Sequence, residues 1–116
     1  MDTHYQQMYK NVATMQHSFH DYTHATAYDP TATLIRNEMH ALTNDIAAGK
    51  SRRTIDNRLH TLQNQLQMTK VLNPSSTQVQ PGHMPSQAPI LNYNQRNFLN
   101  NNFQQMRNSI RQHPNF

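Results

Sequence analysis

Apolar residues recur along this chain at alternating intervals of three and four. Between Asp2 and Ala27 they fall at Tyr5, Met8, Val12, Met15, Phe19 and Tyr22. This continuous a/d stripe predicts an amphipathic helix, since a strand of period two cannot produce it. Asp29-Pro30 restarts the chain: Asp accepts hydrogen bonds from the orphan amides of a first turn, and Pro has no amide to leave unpaired. The next stripe, Ile35, Met39, Leu42 and Ile46, stops at Gly49, a residue free to take the left-handed conformation that ends a helix. Ser51 then predicts the N-cap of a third helix, striped by Ile55, Leu59, Leu62 and Leu66 and closed before Asn73-Pro74.

Both connections are short, which sets neighbouring helices antiparallel and predicts an all-α, up-down-up three-helix bundle over residues 1–72. Pro74, Pro81, Gly82, Pro85 and Pro89 then lie among Ser, Gln and Thr, so 73–92 reads as a flexible Pro-rich linker. Residues 93–116 carry a C-terminal amphipathic helix with Phe98, Leu99, Phe103, Met106 and Ile110 on its apolar face. Asn is a poor interior helix residue, so this Asn-rich helix needs a surface to fold against. Either it docks on its own bundle, or two chains associate through their heptad seams.

Composition sharpens that need. Leu, Ile, Val and Phe number only 20 of 116 residues, while 14 Asn, 13 Gln and 11 Thr supply uncharged polar mass. No run approaches the length of a spanning helix, and the N-terminus lacks a basic region followed by an apolar stretch, so the expectation is a cytoplasmic protein. Zero Cys excludes disulfides, thiolate metal sites and cysteine nucleophiles. Two Gly exclude the phosphate-cradling loops that need three.

The net charge of +4 hides an asymmetry. Residues 1–49 carry Lys10 and Arg36 against five carboxylates, giving −3, and residues 50–116 carry eight cations against Asp56, giving +7. Arg52 and Arg53 open the third helix, where the macrodipole disfavours cations, so helix stability does not account for them. Lys50, Arg52, Arg53 and Arg58 therefore form a candidate basic face. It could complement acidic neighbours within the chain or in a dimer. It could instead bind nucleic-acid phosphates, with Tyr93, Phe98 and Phe103 available for stacking. An anionic membrane surface, met by the C-terminal stripe and its Arg residues, is the third account.

Candidate chemistry is sparse. His17, His20 and His24 at i, i+3 and i+7 project from one side of the first helix beside Asp21, an arrangement that can share Zn, Cu or Ni. They occupy the face opposite the seam, where a plain soluble surface accounts for them equally well, and no metal site is favoured. At an offset of 20 residues, Ile35–Ile46 lies over Ile55–Leu66 with 5 of 12 positions identical, and His20, His40 and His60 fall in register. Heptads explain the apolar matches, and a chain rich in Asn and His can produce the others by chance. No catalytic set forms, because no Ser sits on a strained Gly-flanked turn. The sequence therefore predicts a non-enzymatic interaction or assembly protein with no cofactor or small-molecule substrate. Its expected partner is another protein, its own copies first. In plan alone, a basic chain of this length with antiparallel helices and a separate C-terminal segment resembles the small immunity proteins that protect producers of pediocin-like bacteriocins. That resemblance is one of plan and carries no residue-level correspondence.

Overall fold

The computed structural model describes residues 3–24, 28–69, 71–72 and 90–112. Four helices dominate: α1 (Thr3–Tyr22), α2 (Pro30–Ala47), α3 (Arg52–Met68) and α4 (Tyr93–Gln112). The fold is all-α, and the one extended feature among the described residues is a two-residue parallel pairing of β1 (Val71–Leu72) with β2 (Leu91–Asn92). No described helix is long and apolar enough to cross a membrane.

Local chemistry sets the helix ends. The stripe predicts a first helix out to Ala27, but α1 stops at Tyr22. There the Thr23 hydroxyl donates to the Phe19 carbonyl at 2.7 Å, joining the Thr23 amide at 3.0 Å. Residues 25–27 lie outside the described set. Asp29 caps α2, its Oδ1 accepting from the Thr31 and Ala32 amides at 2.8 and 3.3 Å. Gly49, at φ +68°, turns the chain between α2 and α3, and Ser51 Oγ accepts from the Thr54 amide at 3.2 Å. α4 opens on a reciprocal cap. Asn92 Oδ1 accepts from the Gln95 amide at 2.8 Å, and Gln95 Oε1 accepts from the Asn92 amide at 2.9 Å.

Each helix buries a quartet with the same 4-3-4 spacing. The quartets are Met8, Val12, Met15 and Phe19; Ile35, Met39, Leu42 and Ile46; Ile55, Leu59, Leu62 and Leu66; and Leu99, Phe103, Met106 and Ile110. All belong to one hydrophobic cluster, joined by Ala32, Ile90 and Leu91. Each helix runs antiparallel to its predecessor, a register marked by Tyr5 donating to the Lys50 carbonyl, Arg58 meeting Asp45 and Arg107 meeting Asp56. In that register the quartets stack as four layers: Met8, Ile46, Ile55 and Ile110; Val12, Leu42, Leu59 and Met106; Met15, Met39, Leu62 and Phe103; Phe19, Ile35, Leu66 and Leu99. The fourth helix thus docks on its own chain, supplying the extra burial that the thin composition requires.

The expected linker falls mainly on 73–89, outside the described residues. Its last three positions are structured: Ile90 and Leu91 are buried and Asn92 caps α4. Phe98, expected on the buried stripe, lies outside it at 43% exposure, because the 4-3-4 face begins one residue later at Leu99.

Candidate functional site

Two guanidinium groups absorb most of the acidic side chains that meet the basic half. Arg58 reaches from α3 to α2, with Nη1 3.1 Å from Glu38 and Nε 3.1 Å from Asp45. Its pKa is raised above the ordinary arginine value, chiefly by the hydrogen bond to Glu38, with Asp45 adding and burial opposing. A raised pKa stabilises the fold below the unfolded-state value and loses that contribution only as pH climbs through the folded one. Arg58 therefore stays charged throughout the working range. It belongs to the α2–α3 seam, and its pairing with Glu38 and Asp45 removes it from the basic face expected with Lys50, Arg52 and Arg53.

Arg107 makes the equivalent clamp from α4. Its Nε lies 3.0 Å from Asp56, and its Nη1 donates to Gln63 Oε1 at 2.8 Å. The same Nη1 lies 3.0 Å from His60 Nδ1. A guanidinium only donates, so Nδ1 accepts and the ring proton sits on Nε2. Gln63, buried between the helices, passes its amide on to Gln104 Oε1 at 3.0 Å. Nothing in the heptad pattern marks Arg107 or Gln63; only the observed register brings positions 44 apart into contact.

With these pairs made, the two ends of the bundle differ. At one end lie the α2–α3 turn, the start of α1 and the finish of α4, with Lys50, Arg53 and Arg111 exposed and Arg52 half-buried. The five described carboxylates have partners other than Lys50, Arg53 and Arg111: Asp21 faces His17, Asp29 caps α2, Glu38 and Asp45 hold Arg58, and Asp56 holds Arg107. At the other end stand large exposed apolar side chains, Tyr28 at 98% and Met68 at 84%, with Leu34, Tyr93 and Phe98 near half. Arg96 lies over the Tyr93 ring there, 5.7 Å from its centroid.

The structure also separates groups that the sequence placed together. Leu99, Phe103, Met106 and Ile110 face the core, leaving Phe98 alone of the C-terminal stripe on the surface. Phe103 cannot stack on a base, and Tyr93 and Phe98 lie at the end away from Lys50. That same burial withdraws the stripe from any membrane surface. His17 Nε2 approaches Asp21 at 3.5 Å, and the His20 and His24 rings meet edge to face at 6.3 Å. No group of three metal-ligating side chains converges among the described residues. A cleft of about 110 Å³ opens between α1 and α4, lined by His4, Gln7, Asn11, Asn102, Gln105 and Ser109 above Met8 and Met106. That is below the several hundred Å³ of ordinary ligand pockets. The chain matches no protein-family model, no curated protein and no solved structure.

Proposed function

We propose that this chain is a small, non-enzymatic helical protein that works by binding protein, a second copy of itself being the favoured partner. Its docking surface is the end that holds Tyr28, Leu34, Met68, Tyr93 and Phe98. The observation that carries the reading is where these residues lie. A chain with so few apolar residues leaves five large ones exposed at one end, although polar amides are abundant enough to have covered it. Aromatic residues and Met are the types enriched at protein interfaces. The five described carboxylates, which acid–base catalysis would use, are held in caps and ion pairs. A three-helix unit over 1–72, a Pro-rich connection and a C-terminal helical segment in a cytoplasmic protein belong to the same proposal.

Light scattering over a concentration series tests it. The full chain gives a mass above the monomer that rises with concentration, and Leu34→Lys/Met68→Lys returns it to the monomer while helical content is unchanged. A monomer at every concentration removes the self-assembly reading.

A further inference from the structure

The basic end calls for a different partner. Lys50, Arg52 and Arg53 fall within four residues around the Ser51 cap, and Arg111 joins them from the last turn of α4, which runs antiparallel to α3. Of these, Lys50, Arg53 and Arg111 are exposed. Two features mark the cluster as more than solvated surface. Arg52 and Arg53 stand in the first turn of α3, where the helix dipole opposes positive charge. The five described carboxylates hold partners other than Lys50, Arg53 and Arg111. The charge is maintained against local helix energetics.

We infer that this end binds the phosphate backbone of nucleic acid, with Lys50, Arg53 and Arg111 as phosphate contacts. Chemistry at the surface selects this class over an acidic protein or a lipid. Among the described residues of this half, Tyr9 is the one exposed large apolar side chain, so they offer neither the apolar centre of a protein interface nor the apolar face of a membrane-lying helix. Its exposed neighbours are Thr54, Asn57 and Asn108, hydroxyl and amide groups of the kind that hydrogen-bond phosphate and sugar. Interfaces with nucleic acid are polar, wet and strongly positive, as this end is. Contacts confined to phosphates position a protein without reading sequence, so binding is independent of base order. This inference uses the opposite end from the self-assembly surface and stands or falls separately from it.

Fluorescence anisotropy with a labelled 24-base-pair duplex DNA of arbitrary sequence, across a salt series, tests it on the full chain. Neutralising about three phosphates gives a slope of log K against log salt near −2.7, or roughly a 40-fold loss between 50 and 200 mM. Lys50→Ala/Arg53→Ala lowers the magnitude of that slope by about 2 and leaves the thermal midpoint equal or higher, because it removes cations from a helix N-terminus. Arg52, which makes further contacts, is kept in this variant. An equal affinity for a second duplex of scrambled sequence supports the inference. No binding by the wild-type chain at 50 mM salt overturns it, as does an unchanged slope in the variant. A variant that loses binding together with thermal stability shows a structural role and also overturns it. Binding to poly-L-glutamate as tight as to the duplex assigns the end to acidic protein instead.

Discussion

The two ends of the bundle start their helices in opposite ways. At the apolar end, α2 begins on Asp29, whose negative charge meets the positive pole of the helix while one oxygen takes two amides. There too α4 begins on the reciprocal Asn92–Gln95 pair. At the basic end, α3 begins on the neutral Ser51, with a single amide at 3.2 Å and cations on both sides. One end is arranged for helix stability and exposes apolar surface; the other gives up local stability and exposes charge. The difference teaches that the +7 of the second half has two roles. Arg58 and Arg107 fasten helices together, and Lys50 and Arg53 beside Ser51 face outward.

The largest test is of the core that both ends share. Phe103 is fully buried in the third layer, so Phe103→Ala is expected to lower stability by about 3–5 kcal/mol in urea unfolding followed by circular dichroism. A single transition followed equally by tyrosine fluorescence sharpens the picture of two ends on one cooperative body, whereas two transitions break it. Next comes Arg107→Ala, which strands Asp56 and the buried Gln63. It is expected to cost about 2 kcal/mol, and a cycle with Asp56→Asn should show strong coupling. The caps compare the ends directly. Asp29→Ala is expected to cost about 1–2 kcal/mol and Ser51→Ala about 0.5–1, both read from thermal midpoints. Equal costs would remove the contrast. Smallest is Lys50→Ala/Arg53→Ala, expected to change stability by under about 1 kcal/mol and in the stabilising direction.

Much of the fold could be read from spacing. The quartets of α1, α2 and α3, the Asp29 and Ser51 caps and the turn at Gly49 follow from rules that act within one helical turn, so the residues concerned are sequence neighbours. What escaped depends on register between helices. Arg58 reads as part of a basic face until Glu38 and Asp45 are brought beside it from α2. Arg107 and Gln63 have no local signal at all. Phe98 and Leu99 are adjacent hydrophobes, and only packing against α3 and α1 decides which one is core. The Asn92–Gln95 cap was legible in principle, since its spacing is that of a capping box, but Pro and polar composition on its N-terminal side drew the linker boundary past it. Of the candidate interaction surface, Arg52 and Arg53 draw attention in the sequence because they break a helix rule, whereas the apolar end emerges only when four helix termini are assembled.

The two guanidinium clamps also bear on how the chain finds its alignment. A slide of α4 along α3 by one heptad would put Asn92 and Arg96 where Leu99 and Phe103 pack, so half of its apolar quartet would leave the core. Such a slide would put Asn100 where Arg107 meets Asp56 and leave a half-buried carboxylate without its cation. The polar contacts between helices thus reinforce the one alignment that the apolar quartets select.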